Sequence, residues 1–193
     1  MSARDDILGN IRLRGRMSTP HPAPYRAPPG ASDLVAAFVE KAQAVNTDIR
    51  MLDREEDIPV AVAELLRARN LAARIHLPPQ SDLAGIDWQF DVARTPPGPD
   101  DTAVTRAPFA IAETGTLVQT ARTGSPASWH FRPGLEIAIL RASDIVAHLE
   151  DVELGTLPAT VNLITGPSRT GDIEQTLELG AHGPKALAVL IVR

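Results

Sequence analysis

The residues best suited to chemistry in this 193-residue chain fall in two short stretches. The first is Gly166-Pro-Ser-Arg-Thr-Gly-Asp172, where the apolar run Val161–Thr165 stops at a Gly-Pro pair and Ser168, Arg169 and Thr170 follow at once. A helical pattern is read as opening there and running to about Leu179, with Gly180 as its C-cap. The free N–H groups and dipole of such a helix start favour an anion. Phosphate, carboxylate or a nucleotide would fit, and Arg169 offers a bidentate contact. The plainer alternative is that Ser168 or Thr170 caps the helix while Arg169 pairs with Asp172 or Glu174. The second stretch is Glu113-Thr-Gly-Thr116. A carboxylate at a strand end, beside a glycine and the hydroxyls of Thr114 and Thr116, can serve as general base or nucleophile. Alternatively, Gly115 supplies a positive φ to a turn and Glu113 is solvated.

Two further segments have a functional and a structural reading each. His182-Gly-Pro-Lys185 either returns an imidazole toward the first stretch or is a tight connector into the last strand. Trp129-His130-Phe131-Arg132 is either a lid or interface patch, or ordinary loop packing. The dinucleotide, Walker, zinc-protease and nucleophile-elbow motifs are missing from the sequence, and its histidines lack metal-ligand spacing.

The elements that must hold these residues alternate helix and strand. Ile7, Leu8 and Ile11 share one face of a short helix over 3–14, which needs a surface on its own domain, a second copy or another protein. Residues 15–30, rich in proline, form an extended tether. One α/β domain is expected over 31–193. Ser32 is the expected cap of a helix bearing Leu34, Val35, Phe38 and Ala42, and residues 48–52 are a strand. Asp57 and Pro59 open a second helix with Val62, Leu65 and Leu66 inside. Strands are expected at 73–77, 87–92 and 136–140. A Gly-containing turn joins two more, at 109–112 and 117–120. Ser143 would cap a helix carrying Ile145, Val146 and Leu149, and the final strand is Ala188–Val192. This order implies a mostly parallel sheet covered by helices. In such sheets ligands sit at the carboxyl ends of strands, so the two stretches could share one cleft.

Bulk properties exclude several classes. A net charge of −5 gives no electrostatic reason to expect nucleic acid. With no cysteine, neither a disulfide framework nor a thiolate-held zinc or iron–sulfur site is available to this chain. No apolar run approaches the roughly 20 residues of a membrane span, and the polar start lacks a signal-peptide core, so a cytoplasmic protein is expected.

Ile111-Ala-Glu-Thr-Gly-Thr-Leu-Val118, Gly166-Pro-Ser-Arg-Thr-Gly-Asp-Ile-Glu174 and Gly180-Ala-His-Gly-Pro184, in that order and spacing, resemble the lactate utilization protein C family, also called the LUD domain. A looser similarity extends over nearly the whole chain, with a departure at Ala127–Pro133. The resemblance implies a three-layer fold with helices on both faces, similar to the NagB, ribose-phosphate isomerase and CoA-transferase group. It also implies a role in oxidising L-lactate to pyruvate beside two iron–sulfur partners, lactate utilization proteins A and B, with no cofactor held by this chain. It assigns no catalytic residue. Some CoA transferases of the similar fold use a glutamate nucleophile, so a stand-alone transferase or ligase acting through Glu113 is a competing expectation. A structural or regulatory binding module is a third.

Overall fold

A computed structural model describes residues 3–14, 23, 25–171, 177–179 and 183–193. Helix α1 (Ala3–Arg14) leaves Ile7, Leu8 and Ile11 exposed. Helix α2 (Leu34–Ala44) is capped by Asp33, one residue after the expected Ser32, whose carboxylate accepts from Ala36 N at 2.9 Å. Phe38 and Ala42, one turn apart, are buried on its inner face. Strand β1 (Asp48–Leu52) follows. Helix α3 (Ile58–Ala68) takes Pro59 in its first turn, where no N–H is needed. It buries Ile58, Val62, Leu65 and Leu66, each worth about 1.5–3 kcal/mol of transfer free energy.

Next come β2 (Arg74–His76), β3 (Asp91–Ala93), β4 (Thr102–Arg106), β5 (Phe109–Ile111) and β6 (Thr116–Ala121). The short helix α4 (Ser128–Phe131) then leads to β7 (Leu135–Arg141), β8 (Ile145–Val146) and β9 (Thr160–Ile164). The chain ends with β10 (Arg169–Gly171), β11 (Leu177–Leu179) and β12 (Ala186–Val192).

Among the described residues the main sheet has six strands in the order β1-β12-β7-β4-β2-β3, every pair parallel. Side chains alternate across it as the pleat demands. Leu135, Ile137, Ile139, Leu190 and Val192 face α3. Ala138, Leu140, Val189 and Ile191 face the other way, toward Phe38 and Ala42 of α2. The result is an α/β architecture of a mostly parallel sheet with helices on both faces, as expected. The second face is also covered by a smaller sheet, β8-β5-β6-β9, which contributes Ala110, Leu117, Ile145 and Ile164 to the same core.

Three local expectations change. The helix expected from Ser143 is a 3-10 turn (Ala142–Asp144) followed by β8, because Ile145 pairs beside Ala110 at the edge of the smaller sheet. The helix expected from about Ser168 to Leu179 is replaced by the antiparallel pair β10–β11, with Arg169 opposite Leu179 and Gly171 opposite Leu177. Strand β4 was not expected, yet it lies inside the main sheet between β7 and β2. Its sequence, Thr-Ala-Val-Thr-Arg, holds one large apolar residue and so carries little strand signal by itself.

Candidate functional site

The register of the smaller sheet decides where the two chemistry-bearing stretches go. Leu117 of β6 stands opposite Ile164 of β9, which brings Thr116 beside Thr165. Their hydroxyls are 2.7 Å apart, and Thr114 adds a second hydroxyl contact to Thr116, also at 2.7 Å. This pairing brings the residue before Gly166 beside the Glu113–Thr116 stretch, at strand ends of the smaller sheet.

Both motif glycines abut the end of α2. Gly115 has φ +68°, and a Cβ there would stand 2.5 Å from Ala42 N. Gly166 has φ +78°, and its Cβ would stand 2.7 Å from the Val45 carbonyl oxygen. Only glycine meets both demands, positive φ and backbone approach. Ser168 lies by the start of β12, where its N–H donates to the Pro184 carbonyl at 2.9 Å. Since Arg169 and Thr170 lie in a strand, the helix-dipole argument for an anion at this turn loses its basis. Asp172 and His182 lie outside the described residues.

Glu113 is partly exposed, and His148 Nδ1 donates to its Oε2 at 2.8 Å. That hydrogen bond holds the His148 imidazolium above its usual range. Burial opposes the shift, while the Glu113 charge, the Pro28 carbonyl and Asp151 reinforce it. Pro28 and Gly30 come from the proline-rich segment, and a Cβ on Gly30 would lie 2.6 Å from the Ala147 Cβ. The pair thus sits where that segment lies against the strand end. His148 engages one of the two carboxylate oxygens, Oε2.

A second polar cluster lies between the two sheets and was missed in the sequence. Glu136 of β7 is fully buried, and its Oε1 accepts from Thr105 Oγ1 (2.8 Å), Gln119 Nε2 (3.2 Å) and His130 Nδ1 (2.7 Å). Its Oε2 is buried with no hydrogen-bond partner among the described residues. Trp129 and His130 are buried too, so the expected lid or interface patch is, at these two residues, part of the core. The one available signal was a glutamate at the start of the otherwise apolar run Leu135-Glu-Ile-Ala-Ile-Leu140. Its partners lie as far as 31 residues away and only pairing of the strands reveals them. No group of three or more His, Cys, Asp or Glu residues able to hold a metal occurs among the described residues. No described helix is long and apolar enough to cross a membrane.

Residues 99–192, which include most of these groups, match the family model described as the LUD domain. Lactate utilization protein C of Geobacillus thermodenitrificans is 37% identical over 93 residues, covering 44% of this chain and 39% of that protein. Lactate utilization protein C of Halalkalibacterium halodurans is 28% identical over 186 residues, covering 84% of this chain and 80% of that protein. The Geobacillus match thus spans about two fifths of its relative's length, whereas the longer one takes in most of both chains. Among solved structures, a DUF162 family protein from Deinococcus radiodurans superposes with a TM-score of 0.63 at 19% identity, covering 86% of this chain and all of that one. That likeness shows a shared fold.

Proposed function

We propose, from the match of residues 99–192 to the LUD domain family model, that this chain is a non-redox component of a system that oxidises L-lactate to pyruvate. The observation that carries the reading is the 28% identity with a lactate utilization protein C across 84% of the chain. Removing two electrons from a 2-hydroxy acid requires an acceptor, and a chain with no cysteine offers no thiolates to an iron–sulfur cluster. In this reading electron transfer falls to iron–sulfur partners, lactate utilization proteins A and B, and this chain binds a small anion or assembles the complex. Deleting the chain from its host and supplying it back, with growth on L-lactate and on pyruvate as the readouts, tests the proposal. The expected result is loss of growth on L-lactate alone, with iron–sulfur proteins recovered by affinity purification from lactate-grown cells. Unchanged growth on L-lactate would overturn it.

The finer reading, a small anion or nucleotide at the Gly166–Asp172 turn, has support from the hydroxyl contacts of Thr116 with Thr114 and Thr165 beside that turn. Replacing Arg169 with Ala should then weaken ligand binding without blocking complex assembly. A second reading rests on the accessible carboxylate of Glu113: group transfer through a covalent acyl intermediate. Incubation with several acyl-CoAs followed by mass spectrometry should then show an adduct on Glu113, and an unmodified mass throughout would remove it.

A further inference from the structure

Open α/β sheets bind ligands at the carboxyl ends of strands, and residues at those ends of β2 and β4 line a cavity that includes no residue of either stretch discussed above. There the loop Pro78–Asp82 after β2, the end of β4 and the hairpin after β6 enclose a cavity of about 200 Å³. Its lining includes the polar side chains of Ser81, Thr105, Arg106, Thr120, Arg122 and Ser125 together with the Asp82 carboxylate.

The cations are held differently. Arg106 is mostly buried; its Nη2 pairs with Glu55 at 3.3 Å and its Nε with Asp82. Those contacts fix the guanidinium in the cavity wall. Arg122, by contrast, is exposed and has no ion-pair partner among the described residues. It sits on a hairpin closed by reciprocal backbone bonds with Ser125. Gly124, at φ +83°, brings this hairpin so close to Gln80 that a Cβ would stand 2.7 Å from its side chain. The hairpin therefore roofs the loop after β2. Below, Thr105 is fixed by its bond to Glu136 and by the bond it accepts from Gln119 at 3.3 Å. The cluster between the sheets is thus a rigid floor for the cavity.

We propose that this cleft binds a small oxyanion, a short carboxylic acid or inorganic phosphate, between the side chains of Arg106 and Arg122, with Ser81, Thr120 and Ser125 as hydroxyl partners. Its volume lies below the roughly 300–1,000 Å³ of sites that enclose drug-sized ligands, which favours a small acid over a nucleotide. Two arginines suit the flat fork of a carboxylate or the oxygens of phosphate. The site does not depend on the lactate reading.

Isothermal titration of the purified full chain with L-lactate, pyruvate and inorganic phosphate in separate arms tests it. The expected result is saturable binding in at least one arm, weakened about tenfold or more in Arg122→Ala, since a charge-assisted contact is lost. Arg67→Ala, at an exposed arginine outside the cavity lining, should leave that affinity unchanged. The preferred arm tells carboxylate from phosphate. No binding in any arm overturns the proposal, as does binding that survives Arg122→Ala and is lost in Arg169→Ala. Growth on L-lactate decides the proposed function separately, so the two can fail independently.

Discussion

The seam against α2 and the cleft at the carboxyl ends of β2 and β4 make an instructive pair. The seam is built from conspicuous sequence, Glu-Thr-Gly-Thr and Gly-Pro-Ser-Arg-Thr-Gly, and its glycines, threonines and Ser168 N–H have internal partners or neighbours in contact. The cleft follows no motif. Its groups come from three separated segments, and they include an exposed arginine that has no ion-pair partner among the described residues. A conspicuous pattern therefore marks a demanding backbone arrangement as readily as a binding site. Polar side chains lining a cavity point more directly to a ligand.

The contrast can be broken by substitution. The largest effect is expected beneath the cleft: Glu136→Ala strands the buried donors of His130, Gln119 and Thr105 and should cost about 3–5 kcal/mol in denaturant unfolding. A loss under 1 kcal/mol would mean that the cluster is not the rigid floor described. At the seam, Gly115→Ala must place a Cβ against the backbone of α2 at positive φ and should cost about 3 kcal/mol. A neutral result there would free the motif from its packing role and return it to ligand binding.

The Glu113–His148 pair should give the seam a pH dependence. Because the folded-state pKa of His148 is raised, its contribution is complete below the unfolded value of 6.5 and is lost as pH rises through the folded value. His148→Gln should flatten the unfolding midpoint across that interval, and an unchanged pH profile would show that the pair contributes nothing. The smallest effect on stability belongs to Arg122→Ala, within about 0.5 kcal/mol, because the side chain is exposed and has no ion-pair partner among the described residues. Normal stability beside lost binding is what separates the cleft from the seam.

Much of the frame was legible beforehand because its signals are local. Phe38 and Ala42 at helical spacing, Pro59 in a first turn, and the apolar runs of β7 and β12 each specify an element without help from distant residues. The same reasoning failed at Ser143 and after Ser168. Short apolar segments there suit either period, and their strand partners, Ala110 for Ile145 and Leu179 for Arg169, settled the matter.

The sequence by itself determined the α/β character, most of the parallel strands, the helices that flank them and the family likeness of the second half. These follow from side-chain periodicity and from motif order, which survive in one dimension. Only the tertiary structure decided that β4 lies within the main sheet, that Glu136 is buried among three donors, and that Arg106 and Arg122 face one cavity. Each of these depends on strand order and register, which bring residues far apart in the chain within hydrogen-bonding distance.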